Sequence, residues 1–174
     1  MEKINYEILD PYSNYSGINF KVYKNITEIN KKYDCIVIMN VLHELNPNDW
    51  EKTFKGLEQK LTDNGYIFFV EVSALVKGEM PNKVGFLILD YDELKVLFNC
   101  NDELSKLSIK ELKKSICTVI PKSVLGNISE KTIAKTIKTL ENTTFEKIKK
   151  ERAIANFQNS RYYAYLTQLY LNAK

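Results

Sequence analysis

The sequence predicts an α/β fold: a small, mostly parallel sheet of about four strands with flanking helices, then a helical C-terminal extension. Three observations carry this. Residues 35–39 (Cys-Ile-Val-Ile-Met) are a continuous apolar run rich in β-branched residues, as expected of a strand covered on both faces. Within residues 47–61, Trp50, Phe54, Leu57 and Leu61 recur at spacings of four, three and four, which puts them on one helix face. Residues 66–72 (Tyr-Ile-Phe-Phe-Val-Glu-Val) form a second apolar strand. Strand, helix and strand with short links make a βαβ unit, whose crossover is right-handed.

The helix of this unit has local start and stop signals. Asn46 suits the N-cap, Pro47 the first helical position, and Asp49 the first turn. Asn64-Gly65 is read as the helix end, since glycine enters the left-handed region cheaply.

Ahead of the unit, residues 4–9 read as a strand closed by Asp10-Pro11, because proline cannot donate to a ladder. Residues 18–23 alternate apolar and polar, as an exposed edge strand does. Residues 26–32 suit one or two helical turns. After Val72, Gly78 and Pro81 mark a loop, and residues 86–89 (Phe-Leu-Ile-Leu) fit either a strand or the lead into a helix capped near Asp90. From Tyr91 the pattern reads as helical. Ser108 with Glu111 is a capping-box pattern, with Pro121 as the breaker. Ser129 caps a helix carrying Ile133, Ile137 and Leu140. Thr143 or Thr144 starts another with Phe145, Ile148 and Ile154. Residues 161–172 form an apolar, tyrosine-rich terminal helix. The expected division is a sheet portion, 1–90, and a helical portion, 91–174, packed on it.

At 174 residues and 44% hydrophobic content, the chain suits one domain with its own core. No run approaches the ~18 apolar residues of a membrane span, and no apolar leader follows Met1. The three cysteines (Cys35, Cys100 and Cys117) are odd in number and lack metal-ligand spacing, so a reducing cytoplasm is expected and no metal site. High Lys, Asn and Ile content points to an AT-rich bacterial genome. The net charge of +3 is uneven: residues 105–152 hold twelve Lys or Arg and five acids, an excess of +7 that leaves −4 elsewhere. A basic half can mark an anionic partner such as nucleic acid. A solvated lysine-rich helix surface fits the same pattern, since lysine dominates over arginine and few aromatics interleave.

Residues 33–45 (Tyr-Asp-Cys-Ile-Val-Ile-Met-Asn-Val-Leu-His-Glu-Leu) resemble the fourth-strand motif of class I S-adenosylmethionine-dependent methyltransferases, in which an aromatic-Asp-apolar strand runs into a "vLHel" loop. Residues 61–66 (Leu-Thr-Asp-Asn-Gly-Tyr) resemble that family's turn into its fifth strand. The resemblance implies a Rossmann-like sheet, with S-adenosylmethionine held at the carboxyl ends of the strands. It places residues 4–9 on the family's second strand. Asp10 then stands where an acid accepts the ribose hydroxyls, and Asn40, Val41, Leu42 and His43 border the cofactor. A turn residue before proline fits Asp10 equally well.

The family's glycine-rich loop is missing: none of the six glycines falls in a G-x-G pattern, and no strand is read ahead of residue 4 to carry such a loop. The family's first strand lies between its second and fourth, so its loss would leave two apolar edges unpaired in mid-sheet. A longer native chain, a partner chain, or direct pairing of residues 4–9 with 35–39 would repair this. Direct pairing is the expectation for the chain by itself, giving one continuous sheet and a truncated or degenerate methyltransferase-like domain.

His43, the only histidine, and Glu44 are the candidate catalytic residues. Imidazole titrates near neutral pH, though a lone histidine is more often a hydrogen-bonded structural residue. Glu71 points to the site or to a helix. The alternative function is a non-catalytic interaction module, using either the basic helices for nucleic acid or another anionic partner, or the aromatic terminal helix for a protein partner or a second copy.

Overall fold

A computed structural model describes residues 6–10, 21–74, 86–109, 112, 114–154 and 160–174. The βαβ unit is present. Strand β3 (Tyr33–Met39) leads through a short turn to helix α1 (Pro47–Gln59) and then to β4 (Leu61–Val72), which pairs with β3 in parallel. The Asn46 side chain caps α1 by accepting from the Asn48 N–H at 3.0 Å, and Pro47 begins the helix. Trp50, Phe54, Leu57 and Leu61 are all buried. Each removes enough apolar surface from water to contribute about 2 kcal/mol. Phe54 meets Phe98 edge-to-face, with centroids 5.2 Å apart.

The helix ends earlier than its sequence suggests. The Lys60 carbonyl accepts from the Tyr33 N–H at 2.8 Å and Leu61 pairs with Tyr33, so the chain enters the ladder before Asn64-Gly65 is reached. Between this first pair and the next, Cys35 with Tyr66, the register shifts, and Gly65 lies at the shift. A Cβ there would come within 3.0 Å of the Thr62 carbonyl and 3.1 Å of Leu61. Close approach, not helix termination, is what requires glycine.

Two short strands, β1 (Ile8–Leu9) and β2 (Val22–Tyr23), form a separate parallel pair. The main sheet has the order β3-β4-β6-β5, with β5 spanning Ser105–Leu107 and β6 spanning Ser115–Pro121, and its β4–β6 and β6–β5 pairs are antiparallel. Two expectations are corrected here. Among the described residues, 6–9 do not pair with β3; Ile8 and Leu9 form a strand that pairs with β2. The second correction concerns the region after Tyr91, which is not wholly helical. The stretch around Ser115–Pro121 is a strand inside the sheet, and Ser108 and Ile109 are not helical. Lys110 and Glu111, on which the expected cap rested, lie outside the described residues. So do residues 4–5, 18–20 and the loop around Gly78 and Pro81.

The burial of β3 also differs from expectation. Among the described residues its neighbour lies on one side only, and Val37 and Met39 are 56% and 53% exposed, so there this apolar run is an edge strand with one open face.

Residues 86–90 lead into helix α2 (Tyr91–Leu97), with Glu93 accepting from the Asp90 N–H at 2.8 Å. A single turn, α3 (Lys122–Leu125), follows β6. Ser129 then caps α4 (Glu130–Ala153), which runs unbroken through Thr143 and Thr144 where a new helix was expected. The Thr143 hydroxyl donates to Glu93 at 2.7 Å and lies 3.2 Å from the Leu140 carbonyl, so a cap-type residue is satisfied in mid-helix. Helix α5 (Ser160–Ala173) packs on α4, burying Leu166, Leu169 and Ala173. Tyr165 stacks on Phe86 and Tyr170 on Phe145.

Replacing Gly65 by alanine is expected to destabilise the fold by about 1–3 kcal/mol through the forced backbone shift. Denaturant unfolding with an unchanged slope would show this, whereas a neutral result would mean the turn is free to relax.

Candidate functional site

The site is built where β1 and β3 end. Asn40 follows β3 with φ 53°, a left-handed conformation that asparagine tolerates. Its N–H makes the last ladder bond to the Val70 carbonyl at 2.9 Å. The chain then turns through a 3₁₀ turn, Leu42–Glu44. Leu42 and His43 point inward and are buried, while Asn40, Val41 and Glu44 are exposed.

Glu71, buried near the end of β4, holds this turn. One carboxylate oxygen accepts from the Leu42 N–H at 3.1 Å and the His43 N–H at 3.4 Å. The other lies 2.6 Å from His43 Nδ1 and also accepts from the Val72 N–H at 3.1 Å. An oxygen already accepting one N–H fixes the imidazole proton on Nδ1, which donates. Glu71 therefore faces neither open site nor helix. It positions the loop and orients His43, a role that depends on strand register and has no local sequence pattern. The one sequence clue is a lone acid in an otherwise apolar strand.

Asp10 follows β1, half-buried, with its N–H on the Tyr23 carbonyl at 3.0 Å. Between the two strands lies a cavity of about 770 Å³, lined among others by Ile8, Leu9, Ile36, Val37, Val41 and Leu42. The ends of β1 and β3 thus open on one apolar cleft. Leu9, Val41 and Leu42 are in its wall, whereas Asp10, Asn40, His43 and Glu44 are not.

The opposite end of the cleft is tied by Glu7, which sequence reasoning missed. Its carboxylate accepts from Tyr33 Oη, from Tyr23 Oη at 3.3 Å, and from Lys31 Nζ at 3.0 Å. The Tyr33 hydroxyl and then the Lys31 ammonium hold the Glu7 carboxyl below the usual carboxylate range. Burial and the Glu7 charge push the Tyr33 phenol up.

A smaller cavity of about 250 Å³ lies past the end of β4, among Ser73, Asp90, Glu93, Lys147, Tyr162 and Tyr165. Lys147 pairs with Asp90 at 3.1 Å, Lys122 with Asp63 at 3.0 Å, and Lys138 and Lys149 with acids on their own helix, so part of the basic excess is offset within the fold. All three cysteines are free. Burial pushes the Cys100 thiol up to about 11 and raises Cys117 as well, so neither supplies a thiolate nucleophile at neutral pH. Among the described residues no group of three His, Cys, Asp or Glu is placed to hold a metal, and no helix is long and apolar enough to cross a membrane.

This arrangement has a counterpart in known families. Residues 2–114, from the first strand pair through β5, match the family model described as "Methyltransferase domain". The chain belongs to the class I S-adenosylmethionine-dependent methyltransferase family. No curated protein matches it. In this methyltransferase domain the order β3-β4-β6-β5 gives a mixed sheet whose β3 end, the "LHE" turn, is the part of the motif that the sequence identified.

Two outcomes follow. Glu71→Leu leaves two loop N–H groups and the His43 ring proton unpartnered in a buried setting, and is expected to cost on the order of 3 kcal/mol. Thermal unfolding measures the loss, and Glu71→Gln should recover part of it by keeping an acceptor. The second concerns pH. A carboxyl held low in the folded state contributes stability that is fully present above its unfolded value of about 4.3 and lost as pH falls through the lower folded value. Acidification below pH ~4 should release β1, seen as faster amide exchange at Ile8 and Asp10, and Glu7→Gln should abolish that acid step.

Proposed function

We propose that this chain is a methyltransferase-like domain that binds S-adenosylmethionine at the carboxyl ends of β1 and β3. The observation that carries the reading is the shared cleft: an apolar cavity of 770 Å³, within the 300–1,000 Å³ usual for ligand sites, with strand ends on its rim. Residues of its wall and of the strand ends beside it suit the cofactor's parts. Leu9, Val41 and Leu42 offer apolar contact to a purine. Asp10, at the end of β1, is the carboxylate for the ribose diol. Asn40 and the turn pinned by Glu71 form a rigid wall toward the neighbouring end of β4. When bound, the cofactor supplies an electrophilic methyl group. The residues of the chain orient an acceptor and exclude water.

His43 acts in this reading through position. Its ring is buried and bonded to Glu71, which suits it to bracing the turn. The acceptor site is the 250 Å³ cavity beside Ser73, bounded by Asp90, Lys147 and two tyrosines. Three free thiols agree with action in a reducing cytoplasm. Within the given residues no glycine-rich loop brings backbone close to the ligand, so the cleft walls carry the contacts named above.

Calorimetric titration with S-adenosylmethionine and S-adenosylhomocysteine tests the reading. Micromolar binding that weakens at least about tenfold in Asp10→Ala is expected for a carboxylate on the ribose. Absence of heat at millimolar ligand would remove cofactor binding from this chain taken alone.

A further inference from the structure

The charge excess of the C-terminal half has a definite place in the fold. Along α4 the cations Lys131, Lys135, Lys138, Lys149 and Arg152 lie on one face, and all five are exposed. Asn142 and Phe145 fill the same face between them, so the spacing runs four, three, four, three, four, three without a break. The opposite face carries Ile133, Thr136, Leu140 and Thr144, which are buried. At 1.5 Å per residue the row is roughly 32 Å long. It belongs to a helix that starts after residue 114, where the methyltransferase match ends.

These charges are only partly answered. Among the described residues Lys131, Lys135 and Arg152 have no carboxylate within ion-pair distance. Lys138 and Lys149 pair with Glu141 and Glu146, each at 2.6 Å. Surface pairs of this kind contribute little and yield readily to a competing phosphate.

The surroundings of the row decide what it fits. A lipid surface takes up a basic helix by its apolar face, and that face of α4 is already buried in the core. A protein interface needs an apolar anchor. The one apolar side chain in the row, Phe145, has Tyr170 stacked on it at 5.5 Å and the Lys149 ammonium 4.5 Å from its ring centre. The same two contacts keep the ring from serving as a platform for an unpaired base. A duplex needs none of these, because its phosphates supply the affinity. The row is about as long as one turn of B-form DNA, roughly 34 Å. The major groove of B-form DNA, about 12 Å wide, admits a helix, whereas that of A-form RNA is too narrow.

We propose that the outer face of α4 is a docking surface for double-stranded DNA, held through its phosphates without regard to base sequence. The face is turned away from the acceptor cavity: Leu140 and Lys147, which line that cavity, sit on the other side of the helix. The DNA is therefore a docking partner and not the methyl acceptor, and the proposal does not depend on the cofactor reading.

Anisotropy of a fluorescent duplex of about 24 base pairs, titrated with the whole chain, tests this. Micromolar binding is expected at about 50 mM salt, and five phosphate contacts should make it fall roughly 500-fold by about 200 mM. Lys135→Gln with Arg152→Gln should weaken binding at least about tenfold at low salt and shrink the salt-driven fall to roughly 40-fold. Lys52→Gln with Lys55→Gln removes as much charge from exposed positions of α1 and should leave binding within about twofold. Circular dichroism checks that both variants fold. No binding at about 50 mM salt overturns the proposal, as does unchanged binding in the α4 variant or an equal loss in the α1 variant. Equal or tighter binding of single-stranded DNA or of an RNA duplex overturns it too, and so does uptake by phosphatidylserine vesicles in place of DNA. Because cofactor is omitted, failure here leaves the cofactor titration unaffected, and failure of that titration leaves DNA docking standing.

Discussion

The parallel pairing of β3 with β4 is the constraint from which the other elements take their places. It requires a crossover, and α1 provides one by turning Trp50, Phe54 and Leu57 inward. It sets the register that brings Glu71 beside the turn after Met39. It fixes which edge of β4 remains for β6, and hence where α4 and α5 pack. A single buried carboxylate inside this apolar frame is tolerated because four contacts satisfy it. The same satisfaction makes the 42–44 turn stiff, so the rim of the cleft is preorganised before any ligand arrives.

Much of this pair was legible. Asn46, Pro47 and Asp49 announce the helix start through local chemistry, and the spacing of Trp50, Phe54 and Leu57 fixes the buried face. The motif through His43 and Glu44 located the strand end that borders the cleft. What could not be read was anything decided by partners far along the chain. A continuous apolar run looks the same at a sheet edge as at its centre, so the exposure of Val37 and Met39 left no local mark. Residues 115–121 carry Ile116, Val119 and Ile120, yet the cap-like Ser108 and Glu111 favoured a helix. Thr143 and Thr144 mimic a helix start, but Glu93 on a different helix satisfies the Thr143 hydroxyl and the helix continues. Glu7 gave no signal because its partners, Tyr23, Tyr33 and Lys31, meet only once the strands are in place.

The cleft bears on one of the two readings of the sequence. A cofactor-binding fold without a glycine-rich loop was one, and an interaction module using its basic helices or its aromatic terminal helix was the other. The gap between β1 and β3 belongs to the first, with Leu9, Val41 and Leu42 in its wall and Asp10 and Asn40 at the strand ends beside it.

The position of β6 has a consequence for how the chain acquires its structure. β6 is the fourth strand of the main sheet to leave the ribosome, yet it sits between β4 and β5. Until Ser115–Pro121 is synthesised, β4 has a bare edge on that side, and β5 has no neighbour at all. The sheet therefore closes late, by a contact distant in sequence, which slows folding and prolongs exposure of an aggregation-prone edge. Lys106 in β5 and Lys114 just ahead of β6 put positive charge on the segment still to be added, which opposes its pairing with another chain.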